Sequence, residues 1–180
     1  MNSGRTRQTA LCGILASLGL VFLALGNAVP LSTYVSPMLA AFVLIPLLRD
    51  FPRRCAWLTW AVTAVVALVL LPDRELVLIY TLVLGPYPML RLTLNRIPDR
   101  WLRLPAKLLI LNAGVLLCYV LLLIVFPVPG PWEEFSAFGT VMTVAVLVTG
   151  NLCFVVYDAA LAAVSIWYYR KLRPLLRFLH

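Results

Sequence analysis

Six stretches of the chain are apolar and nearly free of charge, and each approaches the length a helix needs to cross a bilayer. Hydrocarbon about 30 Å thick takes roughly 20 apolar residues in helical form. Thr9–Val29 holds 21 residues, Leu31–Leu48 18, Cys55–Leu71 17, Leu76–Leu90 15, Leu108–Phe126 19 and Thr140–Tyr169 30. Strands of a membrane barrel would alternate in polarity over about ten residues. These runs are continuous, so they read as helices. The expectation is an all-α integral membrane protein, one domain over residues 1–180, with six transmembrane helices over about 9–29, 31–48, 55–71, 76–90, 108–126 and 140–169.

The charges sort by gap. Arg5 and Arg7 precede the first run, and the first gap has none. Arg49, Arg53 and Arg54 fill the second gap; Asp73, Arg74 and Glu75 the third. Arg91, Arg96, Arg100, Arg103 and Lys107 fill the fourth, Glu133 and Glu134 the fifth, and Arg170, Lys171, Arg173 and Arg177 the tail. Alternate gaps therefore hold all the bases but Arg74. By the positive-inside rule the basic side is cytoplasmic, which places both termini inside the cell, in a plasma or inner membrane. Only 12% of residues are charged and 63% are apolar, against about 25% charged in soluble domains. That excludes an ordinary soluble domain and a disordered chain. The net charge of +8 describes a cytoplasmic face, not a nucleic-acid footprint, which would gather on a folded polar surface.

Aromatic residues mark the expected interfaces: Trp101 in the basic fourth gap, Trp132 in the outer fifth gap, and Trp167, Tyr168 and Tyr169 before Arg170. The first run is longer than the apolar core of a secretion signal and reads as a retained span. Cys12, Cys55, Cys118 and Cys153 form no Cys-x-x-Cys pair and read as reduced thiols. The only histidine is His180, so no metal site is expected. No Gly-x-Ser-x-Gly, Walker A or His-Glu-x-x-His motif occurs. Neither catalytic residues nor a cofactor are expected, and the chain does not read as an enzyme.

Four features carry the functional reading. On a helical wheel Gly13, Ala16, Ser17 and Ala24 share a small-residue half of the first span, a device for close helix packing within the chain or against another membrane subunit. Asp158 is the one ionisable residue deep in a span, eleven residues before Tyr169, or about 17 Å from that end. A buried acid at that depth needs a partner. Lys107 and Asn112 are the candidate partners, and Asn151 and Ser165 continue the polar stripe of Asp158 at seven-residue spacing. Gly85-Pro86-Tyr87-Pro88 removes backbone donors and reads as a helix break, or as the early end of the fourth span. The two outer loops, Gly26–Tyr34 and Pro127–Glu134, either connect helices or lid an outward pocket.

The segments Leu84-Gly85-Pro86-Tyr87-Pro88-Met89-Leu90-Arg91, Lys107 with Asn112, and Gly150-Asn151-Leu152-Cys153-Phe154-Val155-Val156-Tyr157-Asp158, together with the length, the six runs and the small-residue first helix, resemble the substrate-binding (S) component of energy-coupling factor (ECF) transporters. The nearest likeness is to an uncharacterised bacterial S-component-like group. That group carries a Gly-Tyr-Tyr-Pro type of sequence where this chain has Gly85-Pro86-Tyr87-Pro88, one proline more. The resemblance implies a bundle that binds a vitamin or similar micronutrient from outside. It implies docking through the first helix onto a transmembrane scaffold subunit, with cytoplasmic ATPases driving release. By position it suggests Asn27, Tyr34, Trp132 and Asn151 for a small-molecule substrate, with Asp158 at or under the pocket floor. Two other readings stand beside it: a structural or assembly scaffold of the cell envelope, and a self-sufficient oligomeric transporter that uses Asp158.

Overall fold

The computed structural model describes residues 3–28, 32–125 and 131–172, with the side chains of residues 3–5, 7, 100, 123, 131–143, 146 and 172 outside that description. Among the described residues every regular element is helical. Helix α1, Ser3–Ala28, is unbroken because no proline interrupts it before Pro30. The second apolar run is not one helix. It divides into α2, Val35–Phe42, and α3, Ile45–Asp50, joined by a turn at Val43 and Leu44. Pro37 and Pro46 each lie in the first turn of their helix, where a missing N–H costs nothing.

Helix α4, Arg53–Leu70, starts after Pro52 and stops where Leu71 turns extended ahead of Pro72. Asp73 then caps the next helix, accepting from the Leu76 N–H at 3.0 Å. That helix is α5, Arg74–Ile79. It continues as a π-helical turn, Tyr80–Leu84, and after a turn at Gly85-Pro86 as α6, Tyr87–Leu94. The Gly85–Pro88 sequence therefore does not end the fourth span at its prolines. The chain rewinds there and carries helix on to Leu94. Helix α7, Arg100–Val125, holds Pro105 near its start. Helix α8, Pro131–Trp167, passes into a final π-helical turn, Tyr168–Leu172.

Five of these helical stretches are long and apolar enough to cross a membrane: Gln8–Ala28, Arg53–Leu70, Arg74–Leu94, Trp101–Leu122 and Leu147–Lys171. The short pair α2–α3 does not reach that length as a single helix. Arg74–Leu94 is the central one, with 67% of its window buried against 17–28% for the others. Its Leu76, Val77 and Tyr80 pack on Leu23, Ala64 and Ala67 of α1 and α4. Its Val83, Leu84 and Tyr87 pack on Cys118, Phe154, Tyr157 and Leu161 of α7 and α8. Ser36 of α2 donates to the Phe22 carbonyl of α1.

The outer surface inverts the soluble pattern. Ile14, Val21, Leu58, Val65, Leu109, Leu116 and Val156 are all more than half exposed. Apolar surface on that scale is a liability in water and ordinary in hydrocarbon.

Candidate functional site

Sequence spacing already sets the geometry of the main polar cluster. Tyr87 and Arg91 lie four residues apart on α6, so their side chains share one face. That face meets α8 at Asp158. The Asp158 carboxylate takes the Tyr87 hydroxyl at 2.6 Å and the Arg91 Nε at 2.5 Å on one oxygen. Its other oxygen takes the Lys107 ammonium of α7 at 2.8 Å. Three helices are thus joined by one side chain. The side chains are 21%, 14% and 7% exposed for Asp158, Arg91 and Lys107.

Aromatic rings wall the cluster. Tyr87 packs edge-on against Phe154 at 4.6 Å, and Tyr157 stacks on Phe42 at 5.6 Å. The Tyr157 hydroxyl donates to the Leu84 carbonyl at 3.2 Å. This bond has a covalent cause. The residue that would donate to Leu84 in an α-helix is Pro88, which has no N–H. A carbonyl left open in an apolar interior is costly, and the tyrosine closes it.

The charges do not balance. One carboxylate faces two cations, so the cluster keeps a net positive charge in surroundings of low polarity. Removing the shared carboxylate from such a set leaves two cations uncompensated, which is where its energetic weight lies.

A second polar layer sits further along the same two helices. Asn112 donates to Asn151 at 3.0 Å, and Asn151 returns a bond at 3.4 Å. Asn112 is therefore not a partner of Asp158. Five residues separate it from Lys107 on α7, and seven separate Asn151 from Asp158 on α8. Antiparallel helices crossing at an angle pair in that way, so the two layers share one register. A double-mutant cycle on Asn112→Ala and Asn151→Ala should show a coupling of about 0.6 kcal/mol, the mean for hydrogen bonds between membrane helices. A coupling of zero in detergent-based unfolding would refute the pairing.

Near the opposite end, Tyr34 donates to Glu75 at 3.0 Å and Tyr119 to the same oxygen at 3.5 Å. Asn27 accepts from the Asp73 N–H at 3.3 Å. Two of the positions suggested for substrate thus lie against the start of α5. Trp132, the other outer candidate, has its side chain outside the described residues, as do Glu133 and Glu134. On α1, Gly13, Ser17 and Ala24 are exposed, Ala16 is half-buried, and nothing approaches Gly13 within 4 Å of where a side chain would begin. Gly19 and Gly26 of the same helix pack inward, against Thr63 and Ser36. The small-residue half of α1 is thus divided between an internal and an open face.

Tyr87 and Arg91 bond to Asp158, and Glu75 takes Tyr34 and Tyr119; the sequence reading names none of the three as a partner in these bonds. Charge sorting places Arg91 in the fourth gap because it follows the prolines; its position four residues after Tyr87 is the signal that puts both on one helix face. Among the described residues no group of three His, Cys, Asp or Glu side chains is placed to hold a metal, and all four cysteines are free thiols. Comparison with family models, with characterised proteins and with solved structures finds no match to this chain.

Proposed function

We propose that this chain is a membrane-embedded substrate-binding subunit of an ECF-type uptake transporter, carrying a vitamin or similar micronutrient. One observation carries the reading. The three separate segments that resemble the S-component-like group meet at a single place, where Tyr87, Arg91, Lys107 and Asp158 bond to one another. In this reading α2–α3 completes six crossings and both termini face the cytoplasm. The substrate enters from the end that holds Asn27, Tyr34 and Glu75, and the Asp158 cluster is the rigid floor beneath it. The open face of α1 docks the scaffold subunit, and the ATPases come from other chains.

The test is co-expression with candidate scaffold and ATPase subunits, followed by affinity purification and native mass spectrometry. The expected result is a complex containing all three kinds of subunit and a retained small molecule. Gly13→Leu should cut scaffold recovery at least tenfold while the variant folds and inserts normally, because Gly13 has open space around it. Recovery of the chain alone, ligand-free, would overturn the reading.

A structural scaffold of the cell envelope is the second reading. It is favoured by the engagement of both Asp158 oxygens, which suits a fixed lock between helices. A self-sufficient transporter using Asp158 as its cation or proton carrier fits that engagement less well. A co-purified small molecule would decide against the scaffold.

A further inference from the structure

One to two turns beyond Asp158 on α8, a cavity of about 20 Å³ lies between α3, α6 and α8. Ile45, Leu48 and Leu161 wall it, and Arg49, Arg91 and Ser165 line it. Its polar groups are all donors suited to an anion. Ser165 is only 8% exposed, and its hydroxyl makes no hydrogen bond among the described residues. Arg49 forms no ion pair among them. Arg91 spends its Nε on Asp158, and a guanidinium keeps four further N–H donors. The nearest carboxylate on α3, Asp50, accepts from the Tyr168 hydroxyl and does not line the cavity.

The charge arithmetic points the same way. Asp158 is outnumbered by Arg91 and Lys107, and Arg49 adds a third cation beside them. Surplus positive charge in a weakly polar site is stabilised by an anion, and paired guanidinium donors fit phosphate oxygens better than a lone ammonium would. A cavity of this volume admits an oxygen or two. It would take the leading oxygens of a phosphate group whose remainder stays outside, not an enclosed solute.

We propose that this cavity binds a phosphate group, with Arg49, Arg91 and Ser165 as its donors. A phospholipid headgroup of the cytoplasmic leaflet is the source its position favours. Basic pockets between membrane helices on that side are suited to anionic headgroups. The placement on that leaflet rests on the topology proposed above; the phosphate chemistry does not.

The test uses the full chain alone in dodecyl maltoside, without any scaffold or ATPase subunit, so its outcome is separate from that of the transport reading. Thermal unfolding is followed against added phosphatidylglycerol and, in a parallel arm, inorganic phosphate, with chloride matching ionic strength. A ligand that binds only the folded chain raises its midpoint in a saturable way. Phosphatidylglycerol should do so. Arg49→Gln should raise the half-saturating concentration about tenfold, the effect of one charge-assisted contact. Ser165→Ala should raise it roughly threefold, the effect of a neutral hydrogen bond. Arg96→Gln, an exposed base outside the cavity, should change it less than about twofold, as screened surface charges do. A saturable shift with inorganic phosphate showing the same variant pattern supports the site and identifies free phosphate as a source. No shift in either arm, or a shift that Arg49→Gln and Arg96→Gln weaken equally, overturns the proposal.

Discussion

Asp158→Asn is expected to cost about 3–5 kcal/mol of folded stability, the usual loss when one partner of a buried ionic set is removed. In detergent this corresponds to a fall of roughly 6–20 °C in the unfolding midpoint for a chain of this size. The substitution keeps the side chain's shape and an oxygen for the Tyr87 hydroxyl. What it removes is the charge that Arg91 and Lys107 share. Two cations then face one another in weakly polar surroundings. The two-to-one stoichiometry makes a sharper claim. Lys107→Met removes the surplus cation and leaves Asp158 matched to Arg91, so it should cost no more than about 1 kcal/mol, the net worth of a typical hydrogen bond. The double variant, Asp158→Asn with Lys107→Met, should be more stable than Asp158→Asn alone. Equal losses for the two single variants would show that the cluster is not organised around one shared carboxylate.

The second large effect belongs to Gly85→Ala. A methyl group there would sit 2.5 Å from Trp60 Cδ1 and 2.6 Å from the Tyr80 carbonyl oxygen. The indole is a side chain, but the carbonyl is backbone and accepts the Gly85 N–H at 2.8 Å. Something in the π-helical turn must shift. Overpacking of this kind costs about 1–3 kcal/mol, and the upper end is expected because α6, with Tyr87 and Arg91, follows directly. The midpoint should fall by roughly 10 °C. Gly150→Ala is the matched control: nothing lies within 4 Å of its added carbon, and alanine is the better helix former by roughly 0.5–1 kcal/mol. A harmless Gly85→Ala would mean that the tight turn after the π-helical Tyr80–Leu84 is not constrained.

Much of this architecture is legible in the residues. Continuous apolar runs announce long helices, and five appear as stretches of spanning length. Asp158 advertises a partner because lipid makes an unpaired acid expensive, and Lys107 sits close enough along the antiparallel α7 to supply it. What hydropathy cannot see is where a helix restarts. Leu31–Leu48 counts as one run, yet Pro37 and Pro46 are both helix-opening residues, and the chain takes two short helices. Hydropathy is equally blind to backbone repair. The prolines at 86 and 88 suggest an end; the structure continues because the π-helical turn absorbs the irregularity and Tyr157 fills the vacant bond at Leu84. Asn112 reads as a candidate partner of Asp158 because it lies five residues beyond Lys107 on the same span, whereas the crossing of α7 and α8 carries it to Asn151. The Tyr34–Glu75–Tyr119 group joins residues from three distant segments, and no local spacing announces it.

The order in which these residues leave the ribosome gives the Asp158 cluster a further meaning. Arg91 and Lys107 are made 67 and 51 residues before their acid. Until α8 is in place, two basic side chains on α6 and α7 have no counter-charge in the cluster, and cations are drawn towards the aqueous boundary rather than held at depth. Seating the last long helix is therefore the event that lets the earlier ones settle. A chain cut short before Asp158 leaves both cations without the carboxylate that joins them.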